Sequence, residues 1–180
     1  QTPNQRFRKK DNWSLGSLYH IIQIGGFNPK PTKRIAIPVC EPVQFPEKIL
    51  EVNPYILGLI LGDGGITKDV VLSTADDEII QIIKNLGYQI TKRKSKYEWG
   101  IRGLISKLKK LNLIGLKSDK KFIPHDYLYN SIQNRLELLR GLLDTDGSIY
   151  GRMVIEYSTV SPHLKEGVKF LVQSLGGKAK

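Results

Sequence analysis

One short string occurs twice, and it restricts the possible folds more than any other feature of the chain. Gly58-Leu59-Ile60-Leu61-Gly62-Asp63-Gly64 is matched by Gly141-Leu142-Leu143-Asp144-Thr145-Asp146-Gly147, and each copy closes a strongly apolar stretch. The correspondence continues downstream: Ile66 with Ile149, Ser73-Thr74 with Ser158-Thr159, and Leu86-Gly87 with Leu175-Gly176. The second copy has a longer first hairpin and lacks a counterpart of Tyr88–Leu113. A duplicated unit of this kind predicts two similar substructures related by a pseudo-twofold axis.

The residue types within the string say how the two copies meet. Asn53-Pro54 is an N-cap followed by proline at the first helical position, so a helix is expected over Pro54–Asp63. Its residues are almost all apolar, which requires burial on most sides. A second helix is expected over Asn130–Asp146. Gly58 and Gly62 lie four residues apart on one face of the first helix, and Gly141 and Thr145 hold the same places on the second. Small residues at that spacing let two helix backbones approach closely. Gly64 and Gly147 are expected to end the helices in the left-handed conformation. Packed in this way, the helices bring Asp63 and Asp146 together at their C-terminal ends. That position opposes ionisation, because the helix dipoles and the second carboxylate both act against it. A divalent cation relieves both penalties, and hard oxygen ligands favour magnesium. The competing explanation for each aspartate is an ordinary Asp-Gly turn, which becomes less compelling when it occurs twice in the same setting.

Between the helices the pattern predicts a strand at Val70–Thr74 and a helix opened by Asp76-Asp77-Glu78 and stopped at Gly87. A hairpin follows, with strands Tyr88–Arg93 and Lys96–Arg102 around Lys94-Ser95, and then a helix over Gly103–Leu113. Upstream, residues 1–12 are polar and basic and are expected to lack order. Trp13–Ile24 is weakly amphipathic and predicts a short helix ended by Gly25-Gly26. Four prolines between Pro29 and Pro42, with Pro46 beyond them, leave room for no more than an edge strand at Arg34–Ile37. The expected organisation is an appendage or linker over residues 1–50, a first repeat over 51–130 and an incomplete second repeat over 131–180. The chain starts at Gln1 and stops soon after Gly176-Gly177, so a fragment of a longer polypeptide is expected.

Composition narrows the function. The chain has 28 Lys and Arg against 17 Asp and Glu, a net charge of +11, and 40% hydrophobic residues. That is enough apolar material for a core, and the basic excess suits a polyanionic partner. No apolar run is long enough to span a membrane, and no basic amphipathic helix suggests a membrane surface. One cysteine, Cys40, excludes an internal disulfide and is expected to be buried or inert. His20, His125 and His163 show no metal-ligand spacing.

The two motif copies, Ile56–Gly64 and Leu139–Gly147, resemble the LAGLIDADG family of homing endonucleases, and the resemblance covers residues 53–180. Lys121-Phe122-Ile123-Pro124 is similar to the Lys-x-Ile-Pro block before the second motif of intein-borne members, and Trp13–Pro46 resembles the stretch joining a splicing module to its endonuclease. The resemblance implies an α+β fold of two αββαββα repeats, with packed motif helices over a DNA-binding β-saddle and the second repeat truncated. It also implies metal-dependent hydrolysis of both DNA strands, with Asp63 and Asp146 as metal ligands and Mg2+ or Mn2+ as cofactor. The full-length protein would then be an intracellular monomer, cytoplasmic or nucleoid-associated. Leu61 departs from the family pattern at a position that is not catalytic. The residues that carry out protein splicing are absent from this segment.

DNA contacts are expected on the hairpin, where Ile90, Tyr97, Trp99 and Ile101 face the core and Gln89, Thr91, Arg93, Lys96, Glu98 and Arg102 face outward. A two-stranded ribbon fits the major groove, and Arg and Gln read guanine and adenine edges there. The alternative is a solvated sheet face. Arg152, with Glu156 and Ser158, is the weaker equivalent in the second repeat. Lys121 is either a solvated lysine or a catalytic cation near the scissile phosphate. Lys117 and Lys120 are candidates for backbone contact, and His125 is an acid or a plain loop residue. The expected function is a site-specific DNA endonuclease; the alternative is a non-catalytic nucleic-acid binder on the same fold, such as an RNA maturase or a transcription regulator.

Overall fold

The structure is a computed structural model and describes residues 5–9, 12–16, 41–151 and 154–180. The chain divides into two compact units, Gln1–Cys40 and Glu41–Lys180. In the first, strands β1 (Gln5–Lys9) and β2 (Asn12–Gly16) form an antiparallel ribbon, with Phe7 opposite Ser14 and Arg8 opposite Trp13. This corrects two expectations. The basic segment Gln5–Lys9 is ordered as a strand, and Trp13–Gly16 is a strand where a helix was expected. Asn12-Trp13-Ser14-Leu15 alternates polar and apolar residues with period two, a local signal that outweighs the weak helical one. The rest of Trp13–Ile24, the edge strand at Arg34–Ile37, and Cys40 lie outside the described residues.

The second unit is an α+β body. Helix α1 (Pro54–Asp63) runs through its centre with Pro54–Leu61 all buried. The Asn53 side chain accepts from the N–H groups of Tyr55 and Ile56 at 3.0 and 3.3 Å, the cap that the sequence predicts. Strands β3 (Gly64–Gly65) and β4 (Val71–Ser73) lead to helix α2 (Asp77–Asn85), which is capped by Asp76 and followed by Gly87 at φ 81°. Strands β5 (Ile90–Lys92) and β6 (Glu98–Ile101) complete a four-stranded antiparallel sheet in the order β3-β4-β6-β5. Helix α3 (Ile105–Lys110) follows, shorter than the expected Gly103–Leu113. Gly103 at φ 79° and Asn112 at φ 56° set its limits.

After the short helix α4 (His125–Leu128) comes α5 (Ile132–Asp146), the second motif helix, capped by Ser131. The hairpin of β7 (Gly147–Tyr150) and β8 (Val154–Tyr157) and helix α6 (Pro162–Ser174) end the chain. This hairpin is a separate two-stranded sheet, and it leaves Ile149 77% and Ile155 64% exposed. The corresponding Ile66 is 1% exposed in the first repeat, where β4 pairs onward to β6.

The segment Glu41–Leu50, expected to belong to the appendage, is held within the second unit. Arg135 is wholly buried; it donates to the carbonyl oxygens of Asn130, Ser174 and Val43 and lies 4.9 Å from the Phe45 ring. Val43 N–H donates to Ser174 O at 2.8 Å, and Lys48 Nζ donates to Asp126 at 2.6 Å. Among the described residues no helix is long and apolar enough to cross a membrane.

Candidate active site at the paired helix ends

Helices α1 and α5 touch main chain to main chain. A methyl group at Gly58 would lie 2.5 Å from Leu138 O and 2.8 Å from Leu142 N, and one at Gly141 would lie 3.1 Å from Gly58 Cα. One turn further on, a methyl at Gly62 would lie 2.8 Å from Thr145 Cβ and 3.2 Å from Asp146 Oδ2. Position 58 meets 141 and position 62 meets 145, so the helices run parallel and their C-terminal ends lie together. The Thr145 hydroxyl donates within its own helix, to Leu142 O at 3.0 Å, which keeps it from competing with the contact.

Gly64 and Gly147 end the helices for a different reason from the one expected. Both are extended, at φ −85° and −86°, and neither adopts the left-handed conformation. A side chain at Gly64 would come within 2.6 Å of Ile60 Cα, and one at Gly147 within 2.9 Å of Leu143 Cα. Glycine is required because the chain folds back over the last helical turn as it enters the strand.

Asp63 and Asp146 stand at these ends, the first exposed and the second partly buried. Burial raises the pKa of Asp63, with Lys121 opposing the shift. Burial also raises that of Asp146, reinforced by the negative charge of Asp63 and again opposed by Lys121. The fold therefore favours the protonated carboxyls. Their stabilising contribution is complete below the unfolded value near 3.8 and is lost as pH rises through the raised folded pKa. In metal-free buffer at pH 7, Asp146→Asn should melt above wild type, with a difference that shrinks as pH falls toward 3.8. Asp63→Asn should show less, because solvent screens an exposed group. A melting-temperature series from pH 4 to pH 8 checks this, and a gap that widens on acidification would contradict it.

Lys121 is 3% exposed, so the solvated lysine considered from the sequence is excluded. Its ammonium donates to the carbonyl oxygens of Ile60, Leu61 and Gly62 at 3.0 Å each and of Gly64 at 2.7 Å. It thus occupies the negative end of α1 and meets the Leu61 and Gly62 carbonyls that the helix leaves without a donor, beside that of Ile60, which already accepts from Gly64 N–H. Burial lowers its pKa to about 8 against the pull of Asp146 and Asp63. The rest of its block is structural as well. Lys121 O accepts from Ser161 Oγ at 2.6 Å, tying the block to the start of α6, and a side chain at Gly167 would meet Ile123 Cδ1 at 2.9 Å.

The hairpin residues are placed less uniformly than expected. Gln89, Thr91, Arg93, Lys96 and Arg102 are all exposed. Arg93, however, lies across Gly100 and is paired with Asp69. Tyr97 is 47% exposed, not turned to the core, because the turn runs longer than Lys94-Ser95 and the ladder stops at Lys92 opposite Trp99. Lys92 Nζ lies 4.0 Å from the Trp99 ring centre. Lys117 and Lys120 are exposed beside the short turn that leads to Lys121. Arg152 lies outside the described residues. His125 is exposed and stacks on Tyr129, with 4.4 Å between ring centres. Two residues escaped the sequence analysis. Tyr55 donates to Asp144 at 2.8 Å, binding the first acid of the second motif to α1. Tyr157, where the first repeat has Leu72, carries a buried hydroxyl with no hydrogen-bond partner.

Among the described residues no group of three His, Cys, Asp or Glu side chains is arranged to hold a metal. Two carboxylates alone suit magnesium, which binds through one or two carboxylates and keeps several waters.

Parallel helices packed through glycine, each ending in a carboxylate and turning into a hairpin, define a LAGLIDADG-type architecture. In agreement, residues 133–180 match the sequence model of the LAGLIDADG-like domain. Proteins with this domain are homing endonucleases or related nucleic-acid-binding proteins. The chain is also similar to a replicative DNA helicase, DnaB, of Mycobacterium intracellulare, with 32% identity over 134 residues. The match covers 74% of this chain and 21% of the helicase, so the chain spans about a fifth of that relative's length.

Proposed function

We propose that this chain is the DNA-cleaving part of an intein-borne homing endonuclease, hydrolysing phosphodiester bonds in both strands of a double-stranded target. The observation that supports it best is the pair Asp63 and Asp146, both retained and set side by side by backbone packing. A similarity confined to a fifth of a helicase is what a mobile element inserted in a host protein would leave. A divalent cation, Mg2+ or Mn2+, would supply charge neutralisation at the scissile phosphate when bound. The two aspartates would hold it, and Lys121 would keep the end of α1 in place beneath them. Gln89, Thr91, Arg93, Lys96, Arg102, Lys117 and Lys120 would meet the DNA, with Arg93 first leaving Asp69. The net charge of +11 makes phosphate neutralisation the main source of affinity. The working form would be monomeric and intracellular.

A second proposal, a binder without cleavage, draws on one observation: Lys121 already places a positive charge beside both aspartates. Aspartate variants separate the two. In the full-length polypeptide, Asp63→Asn or Asp146→Asn should abolish double-strand cleavage, by at least about a hundredfold as expected for loss of a metal ligand's charge. Specific DNA binding should persist, since no phosphate contact is removed. Normal cutting by both variants would favour the binder, and lost binding would make the aspartates structural.

A further inference from the structure

An acid stands on the sheet face where DNA contact is expected. Val70 and Leu72 are wholly buried, so Asp69 and Val71 point to the opposite side of the sheet, where Gly100 lies between Val71 on one neighbouring strand and Thr91 on the other. In a chain of net charge +11, a carboxylate on that face calls for a reason, because it repels every phosphate that Arg93 and Arg102 attract. Stability supplies little of one. Asp69 is paired with Arg93, but both side chains are nearly half exposed, and such pairs contribute little. The pair is nevertheless held in place. Asp69 Oδ1 accepts from Val70 N–H at 2.8 Å, which fixes the carboxylate and leaves its other oxygen, Oδ2, to Arg93. Arg93 in turn lies across Gly100: a methyl group there would stand 2.7 Å from Nε and 2.8 Å from Nη2. Glycine within a strand weakens it and marks such close approaches. Arg93 N–H donates to Glu98 O at 3.0 Å, which keeps its backbone at the end of the ladder.

We propose that Asp69 is a specificity-determining residue: when Arg93 leaves it for the DNA, Oδ2 accepts a hydrogen bond from the exocyclic amino group of a cytosine or an adenine in the major groove. This rests on the DNA-binding part of the reading above and not on cleavage. The two halves of the parted pair fare differently. Arg93 finds an acceptor on any duplex, because phosphates and base edges both supply one. Asp69 does not. The DNA backbone offers it no donor, and it cannot turn away while Val70 N–H holds Oδ1. The donors in the major groove are the N4 amino group of cytosine and the N6 amino group of adenine. A base that brings its amino group to Oδ2 replaces the lost partner, whereas guanine or thymine sets a bare carboxylate against an acceptor. The acid thus turns a general affinity for polyanions into a choice of base.

The test uses the full-length polypeptide and a pool of randomised duplexes. Wild type, Asp69→Asn and Asp69→Ala each select bound sequences, and their affinity for the unselected pool is measured across a salt series. Wild type should require cytosine or adenine at one position. In Asp69→Asn the side-chain oxygen keeps the bond from Val70 N–H, so the amide NH2 group stands where Oδ2 was, and the preference at that position should switch to guanine or thymine. In Asp69→Ala the preference there should vanish. Both variants free Arg93 to reach a phosphate, so they should bind the unselected pool about two- to fivefold more tightly, with a salt slope steeper by about 0.9. Asp69→Asn should melt close to wild type, since an exposed ion pair is all that it loses. Identical preferences in all three proteins, or the same relaxation in both variants, overturn this inference and leave the DNA-binding reading standing. A wild type that selects no sequence also overturns this inference, and one that binds no duplex at all overturns the DNA-binding reading with it.

Discussion

Gly58→Leu and Gly141→Leu are expected to destabilise the chain by more than about 3 kcal/mol. The added atoms would meet main chain on the opposite helix, 2.5 Å from Leu138 O in one case and 3.0 Å from Leu59 N in the other. A side chain can rotate away from an intruder, but a helix backbone cannot. The helices would have to separate along their whole length, emptying a core that includes Ile56, Leu59, Ile60, Leu138 and Leu142. Ordinary overpacking costs about 1–3 kcal/mol, and prising apart a backbone contact should exceed the top of that range. Against a typical total of about 5–15 kcal/mol, that is a large fraction of the stability. Gly65→Ala is the control: its added methyl would find nothing nearer than 3.9 Å, and its urea midpoint should stay close to wild type. A Gly58→Leu midpoint equal to wild type would show that the helices do not touch there.

Lys121→Met should be the next most damaging change. Methionine keeps most of the buried stem and removes the ammonium, so the loss is that of the charge-assisted bonds to Ile60, Leu61, Gly62 and Gly64. Gly64 N–H still donates to Ile60 O, and Gly64 is still paired in its strand, so the Leu61 and Gly62 carbonyls bear most of the loss. One hydrogen bond to a charged group is worth about 1.5–3 kcal/mol, and two such carbonyls put the expected loss at about 3 kcal/mol or more. Lys117→Met and Lys120→Met, at exposed positions, should change stability by less than about 0.5 kcal/mol. The comparison also bears on cleavage. A Lys121 variant that loses activity together with stability has lost its helix end, and only one that keeps its melting temperature would reveal a direct role at the phosphate.

The parts of this molecule that were legible in the sequence are those governed by local chemistry. Asn53-Pro54 announces the start of α1 because capping needs only neighbouring residues. The glycine spacing in both motifs announces the helix contact because a period-four stripe of small residues has few other uses. Other features depended on partners distant in sequence. Lys121 looks like any surface lysine until the end of α1, some sixty positions earlier, is brought over it. Arg135 likewise becomes a buried clamp only when Val43 and Ser174 meet. Gly64 and Gly147 were assigned to the right places for the wrong reason, since the demand comes from the preceding helical turn and not from backbone handedness. The strand at Asn12–Gly16 is hard to read because its short alternating run overlaps the start of the longer, weakly amphipathic stretch Trp13–Ile24.

The glycine contact between α1 and α5 works as a caliper. Its jaws are main-chain atoms at Gly58 and Gly141 and close on the one short side chain of Thr145 at Gly62, so the approach of the two helix ends is set mostly by peptide dimensions that every protein shares, not by a large set of interlocking side chains. Substitutions elsewhere in either repeat can accumulate without resetting that approach, provided positions 58, 62 and 141 stay small. Two halves of a duplicated gene can then diverge as far as Leu72 and Tyr157 have done, while the tool they form keeps its calibration.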